Sequence, residues 1–360
     1  MFGGVYSGTR TLVTGHTGFK GSWLTLWLQR LGAEVSGYAL APATQPNHHD
    51  LLSPAFPSSI ADIRDYEKLL THVRQHKPAI VFHLAAQASV LPSYQDPLET
   101  YTTNVLGTAH VREACRHAPE VRAVVVVTTD KCYEDQGWTW GYRESDILGG
   151  HDPYSASKAC AEIVTASYRR SFFAPGGGTG ALIATARSGN VIGGGDWTAD
   201  RLVPDVMRAV AERRSVTIRN PGSSRPWQHV LEPLCGYLLL GQRLLEGRRE
   251  VAEAWNFGPD PDPNLSVVEV VEVMARSWSL VRAETGPQER KPHETTLLML
   301  DSTKARRLLQ WRPVWSIGAT LERTLEWYRG FIEHGTVGST GQIDQYVRDA
   351  TEQGATWAQS

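Results

Sequence analysis

Cysteine is scarce in this chain of 360 residues. Only four are present, Cys115, Cys132, Cys160 and Cys235. None falls in the C-x-x-C spacing of a zinc site or a redox dithiol, so they read as reduced, partly buried thiols. An excess of charge is also lacking: 36 basic residues stand against 38 acidic ones, a formal net charge of -2. That balance argues against a nucleic-acid partner, and it means that a few placed residues must meet any anion the protein binds. No apolar run reaches membrane-spanning length, and the opening Met-Phe-Gly-Gly-Val-Tyr-Ser-Gly has neither a basic nor a long apolar stretch. The expectation is a soluble, cytoplasmic protein with no membrane partner. His48 and His49 beside Asp50 read as a polar loop, and no metal site is assigned. No internal repeat is visible.

What is present points to an α/β fold. The chain is 41% hydrophobic and long enough for one large domain with a smaller second lobe. From residue 10 to about 187, short β-branched runs alternate with amphipathic stretches, the pattern of a doubly wound parallel sheet. The spacing predicts strands at 11–14, 34–38, 80–84, 123–128 and 182–186, and a helix over 22–31. Beyond 190 the alternation weakens, and Gly193 to Gly195, the turn at 219–222 and the Pro-Asp alternation at 259–263 divide the chain into short pieces. Helices are still expected over 229–245 and 317–332. The organisation read from this is a Rossmann-like dinucleotide-binding domain over 1–187 and a smaller C-terminal substrate-binding lobe, mainly 188–336 and interleaved with the first domain. A polar, Gln-rich tail over 337–360 is expected to form at most a loose helix.

The first strand runs straight into Thr14-Gly15-His16-Thr17-Gly18-Phe19-Lys20-Gly21, and an amphipathic helix follows. Glycines at such a turn let the backbone approach a pyrophosphate, whose charge the helix N-terminus then meets. Gly15, Thr17, Gly18, Phe19 and Gly21 are therefore candidate dinucleotide-binding residues. The second strand lacks the acidic residue that usually holds the adenosine ribose, and it lacks an arginine that would favour NADP, so NAD is the expected cofactor.

Tyr154 and Lys158 form a Tyr-x-x-x-Lys pair, which a helix places on one face. A nearby ammonium is expected to lower the tyrosine pKa towards working pH. Thr128-Thr129-Asp130-Lys131 ends the preceding strand, where an α/β sheet places its ligands.

In order and interval these motifs resemble the extended short-chain dehydrogenase family. Within it, Thr129-Asp130-Lys131 is similar to the CDP-glucose 4,6-dehydratases, where other sugar dehydratases carry Thr-Asp-Glu. The segments 14–23, 149–154, 189–197 and 225–233 share that resemblance, which extends from residue 10 to about 330. It implies NAD-dependent removal of water from a nucleotide hexose. Tyr154, with Lys158, would take the C4 hydroxyl proton, Thr129 would hold that hydroxyl, Lys131 would remove the C5 proton and Asp130 would protonate the leaving C6 hydroxyl. A solvated lysine, with a pKa near ~10.4, is a poor base, so this role requires desolvation or neighbouring positive charge. The resemblance also implies adenine contacts from Asp62 and Ile63, and a cofactor loop at Ala85, Ala86 and Gln87. For the nucleotide sugar it implies contacts from Asn190, Arg201, Arg219, Arg225, His293 and Glu294, and it implies a homodimer or homotetramer. Leu91 stands where family members often carry arginine, which leaves the sugar and the base open. A 4-epimerase would share the glycine turn, Thr129, Tyr154 and Lys158, and a dinucleotide-binding protein without activity would share the fold.

Overall fold

The computed structural model describes residues 1–173, 180–218, 221–260, 265–286 and 298–359. Eleven strands occur among them: β1 (Arg10–Thr14), β2 (Glu34–Ala39), β3 (Ser58–Ile60), β4 (Ile80–His83), β5 (Ala123–Val127), β6 (Leu182–Ser188), β7 (Val191–Ile192), β8 (Val216–Ile218), β9 (Gln228–His229), β10 (Ala254–Phe257) and β11 (Ala283–Thr285). Seven of them form one parallel sheet in the order β10-β6-β5-β4-β1-β2-β3, the doubly wound arrangement expected. β5 is buried along its whole length, as its unbroken Ala-Val-Val-Val-Val run requires of a central parallel strand. β7 pairs with β9 and β8 with β11 in two small outlying sheets, and β10 then returns the chain to the main sheet beside β6.

Helices cover both faces. On one face the helices Phe19–Arg30 and Leu231–Leu245 bury Trp23, Trp27, Leu234 and Leu238 against alternate residues of β1, β4 and β5. On the other, Tyr66–His76, Gly107–Arg116 and Pro153–Ser171 pack against Leu12, Val81, Val124 and Ile183. Each expected strand differs from the one formed at a single end, by one or two residues. The first helix begins at Phe19 rather than Ser22, because the glycine turn itself closes into the first helical turn.

Two expectations are corrected. His48 and His49 open the short helix His48–Leu52 instead of a polar loop: His48 is buried between Trp23 and Trp327, and its ring nitrogens lie 2.8 Å from Ser22 Oγ and 2.7 Å from Ser339 Oγ. The stretch after 337 carries the helix Ser339–Glu352, whose Ile343, Tyr346 and Ala350 are wholly buried, and Trp357 beyond it stacks on Phe2. Its apolar residues are few but fall on one face, a spacing that composition conceals.

That C-terminal helix is tied to the helix Leu231–Leu245 through a buried carboxyl. Glu232 accepts the amides of Val314 and Trp315 at 2.8–3.1 Å and the Tyr346 hydroxyl at 2.7 Å. Burial pushes its pKa up to about 7 despite those donors. A carboxyl raised in the folded state stabilises most below its unfolded pKa and loses that contribution as pH rises through the folded value. Glu232→Gln should therefore flatten the decline in Tm between about pH 4.5 and 7 relative to the parent, checked by thermal melts of both proteins across that range.

Candidate active site

Because the strands are parallel, the turns after β1, β4, β5 and β6 all emerge at one edge. Gly15, first of these, has φ +76°, and a Cβ there would stand 2.6 Å from the Ala85 amide nitrogen, so only glycine lets the turns after β1 and β4 touch. A Cβ on Gly21 would meet the Gly15 carbonyl at 2.1 Å, which fixes the helix close beneath the turn. Gly18 differs: it is exposed, and a Cβ would meet only the Gly15 oxygen at 3.3 Å. It stands at the N-cap of Phe19–Arg30 with no side-chain cap, and the first turn holds no acid. This cradle, with open space over Gly18 and uncapped helical amides, fits a dinucleotide pyrophosphate.

The other expected cofactor residues lie along the same edge. Thr17 Oγ1 donates to the Leu40 carbonyl at 2.8 Å. The Ala85 amide donates to Thr14 Oγ1 at 3.3 Å, and Ala86 follows it. The Gln87 amide donates to Asn104 Oδ1 at 2.8 Å and its side chain to Thr100 Oγ1 at 3.0 Å, which fixes the loop. Asp62 is bound by the Arg64 guanidinium, and its carbonyl accepts from the Tyr38 hydroxyl at 3.0 Å. Ile63 is buried against Gly107. The His16 ring fills the space over Gly37, within β2, with Nε2 2.7 Å from Ser58 Oγ.

Thr129, Asp130 and Lys131 follow β5 as the start of a short 3₁₀ turn. Thr129 Oγ1 donates to Asp130 Oδ1 at 2.9 Å, and Thr129 lies near enough to the Tyr154 phenol to favour its ionised form. Burial raises the Asp130 carboxyl, opposed by Lys131, by the Thr129 bond, and by Lys20 and Arg225. Lys131 is half-buried beside it. Tyr154 opens the helix Pro153–Ser171, which Asp152 caps by accepting the Ser155 amide at 2.9 Å, and Lys158 follows one turn on.

The expected lowering of the tyrosine is corrected here. Burial pushes the Tyr154 phenol up to about 12, with Thr129 and Arg201 acting against the rise. The Lys158 amine donates instead to the Val127 carbonyl at 3.2 Å, and burial brings its pKa down to about 8.

Of the residues expected to meet substrate, Arg225 lowers the Asp130 carboxyl and Arg201 the Tyr154 phenol through their charge, which places both on the side of the site. Arg201 also pairs with Asp196 at 3.2 Å, and the Asn190 carbonyl accepts the Gln228 amide at 3.2 Å. Arg219, His293 and Glu294 lie outside the described residues. One residue went unmarked in the sequence reading: Lys20, whose amine donates to Ser188 Oγ at 2.7 Å and Tyr237 Oη at 3.3 Å. Burial, with Arg201 beside it, brings that amine down to about 7. Its place in the glycine turn was the available signal.

Among the described residues no three His, Cys, Asp or Glu side chains gather as metal ligands, and no helix is long and apolar enough to cross a membrane.

This edge has counterparts in known proteins. The chain is 46% identical to the CDP-glucose 4,6-dehydratase of Salmonella typhimurium over 352 residues, covering 96% of this chain and 98% of that protein. It is 26% identical to the dTDP-glucose 4,6-dehydratase of Neisseria meningitidis, over 89% of this chain and 93% of that one. Among solved structures, the epimerase Mth375 of Methanothermobacter thermautotrophicus matches with a TM-score of 0.79 at 25% identity, covering 92% of this chain and 95% of its own. The dTDP-glucose 4,6-dehydratase DesIV of Streptomyces venezuelae, solved with NAD bound, matches at 0.74 and 27%, covering 89% and 97%. Residues 11–256 match the family model for NAD dependent epimerases and dehydratases. With its glycine cradle and its reactive groups on the edge that this match predicts, the chain belongs to the NAD dependent epimerase/dehydratase family.

Proposed function

We propose that this protein removes water from CDP-glucose to give CDP-4-keto-6-deoxyglucose, using NAD that is regenerated in each turnover. The observation that carries this reading is the pairing of Asp130 with Lys131 beside the Tyr154 phenol, in a chain 46% identical to a CDP-glucose 4,6-dehydratase. An epimerase needs no acid and base for expelling water; a dehydratase needs both.

NAD, when bound along the glycine turn, supplies the acceptor for the C4 hydride and the donor for the hydride that returns to C6. Tyr154 receives the C4 hydroxyl proton, with Thr129 holding that hydroxyl. A phenol near 12 needs positive charge to ionise; Arg201 acts on it, and Lys158 stands one helical turn away. The C4 ketone acidifies the C5 hydrogen. Lys131 takes this proton as the C5–C6 double bond forms, and Asp130 gives its proton to the C6 hydroxyl, which leaves as water. A buried carboxyl with a raised pKa suits that acid role. The C5 proton then returns from Lys131, the C4 proton left on Tyr154 passes to Asp130 so that both groups are restored, and one water has been lost.

Arg201 and Arg225 are assigned to the diphosphate, since a planar guanidinium matches phosphate oxygens. Asn190, Arg219, His293 and Glu294 complete the proposed substrate set, and Asp62, Ile63, Ala85, Ala86 and Gln87 the cofactor set. The domain division at about residue 187, with the nucleotide-sugar lobe largely beyond it, belongs to the same reading. Four free cysteines accord with a cytoplasmic enzyme. Exposed Leu98, Tyr101, Leu106 and Ile163, on neighbouring helical segments, supply an apolar face for a homodimer.

The reading is tested by incubating the protein with NAD and CDP-, dTDP-, GDP- or UDP-glucose and weighing the product. Loss of one water from CDP-glucose in preference to the others is expected; an isomer of unchanged mass would replace dehydration by epimerisation. Tyr154→Phe should reduce turnover by at least about 10²-fold while NAD affinity, measured by calorimetry, stays near that of the parent. Retention of most activity would remove Tyr154 from the mechanism. Lys131→Met should abolish product and prevent solvent deuterium from entering C5. Incorporation at the parent rate would assign the base to another group.

A further inference from the structure

Beneath the candidate active site lies an ion pair that the proposed chemistry does not use. Glu162 and Arg187 meet at 2.9 Å, each side chain only 3% exposed. A buried pair contributes little net stability, and apolar residues of similar volume often serve as well. The contacts of this pair give it another task. Glu162 stands one turn after Lys158, itself one turn after Tyr154, so the three share a helix face. Its carboxylate accepts the hydroxyl of Thr128, the residue before Thr129, and that of Thr185 on β6 at 2.6 Å. Arg187, next to Ser188 that binds the Lys20 amine, donates to the Tyr133 hydroxyl at 2.6 Å and the Glu144 carbonyl at 3.2 Å. Tyr133 lies two residues beyond Lys131, and its hydroxyl donates to Asn256 Oδ1 at 2.8 Å.

We propose that the Glu162–Arg187 pair is a positioning unit that locks the Tyr154–Lys158 helix to both ends of the Thr129–Asp130–Lys131 segment. This rests on the dehydratase reading for its kinetic consequences. Thr128 tethers the segment on one side and Tyr133 on the other, so the acid, the base and the phenol keep one geometry.

The pair also sets charge at Lys158. Burial works against ionisation of Glu162, but Arg187 and the hydroxyl donors hold its carboxyl low, so it carries a negative charge. The groups facing Lys158 are Glu162 on its own helix, the Val127 carbonyl at the end of β5, Cys132 in the 3₁₀ turn that follows, Lys20 in the glycine turn and His83 on β4. Glu162 is the main one that raises the amine against burial. Without it, the charged form of Lys158 is lost at lower pH.

The test is Glu162→Leu combined with Arg187→Met, which removes both charges and keeps the core filled. The expected double variant folds, loses at least about tenfold in kcat with KM for CDP-glucose and NAD affinity little changed, and shows its alkaline limb moved down by about one pH unit. A folded double variant with the parent kcat and pH profile overturns the proposal. Should it not fold, Thr128→Val with Tyr133→Phe cuts both tethers and leaves the ion pair. A few-fold loss in kcat with an unmoved alkaline limb is then expected, and an unchanged kcat overturns the proposal. A parent protein inactive on every nucleotide hexose would refute the dehydratase reading alone. The Lys158 Nζ titration, followed by NMR in Glu162→Gln and assigned by its loss in Lys158→Met, still decides: an unmoved titration overturns the proposal.

Discussion

Parallel pairing in strict register is the constraint from which the site follows. Thr14 lies across from His83, His83 from Val126, and Val127 from Ala186. The residues that follow these positions, Gly15, Ala85, Thr129 and Ser188, are thereby delivered to one edge from sequence positions far apart. Side chains alternate along a strand, so a one-residue slip of β5 would reverse which of Thr128 and Thr129 faces the helix. The register is held by burial on both faces: Leu12, Val81 and Val124 point into one core, Val13, Phe82 and Val125 into the other. The close approach of Gly15 to Ala85 then fixes how near the turns can come.

Burial at that edge also sets the chemistry. It raises the Asp130 carboxyl and the Tyr154 phenol, and it lowers the amines of Lys158 and Lys20 to about 8 and 7. In each case desolvation disfavours the charged form. A carboxyl that holds its proton can act as an acid, and an amine that gives its proton up easily can exchange it near neutral pH. The phenol is the exception that needs help, because burial moves it away from the phenolate. Positive charge around it, such as that of Arg201, is what draws the phenol back towards ionisation.

The local motifs were legible because their geometry is local. A strand, a glycine turn and a helix are contiguous, and Tyr154 and Lys158 need only a helix to share a face. An acid role for Asp130 was implied only by the resemblance of Thr129-Asp130-Lys131 to the sugar dehydratases. What depends on distant chain could not be read. The direction of the Tyr154 shift depends on burial by several elements and on the Lys158 amine turning to the Val127 carbonyl. Glu162 and Arg187 are 25 residues apart and on different elements, so nothing in their spacing announces a pair. Likewise the helix Ser339–Glu352 is poor in apolar residues, and only the fold shows that Trp27, Trp315 and Trp357 receive Tyr346.

The near-neutral composition has its counterpart in how charge is distributed. Asp130 is met by Lys131, Lys20 and Arg225, and the Tyr154 phenol beside it by Arg201. The acids close by are engaged: Asp196 with Arg201, Asp152 at the helix N-terminus. Among the described residues, cations therefore outnumber free carboxylates at the edge, although the whole chain carries a net charge of -2. Asp130 is buried, so the charges beside it act on it more strongly than they would on the surface. A substrate carrying a diphosphate would enter this local excess and offset the repulsion that Lys20, Lys158 and Arg201 exert on one another. Placed residues rather than bulk charge thus make the site suited to an anion, and the same anion would bring those amines back towards their protonated forms.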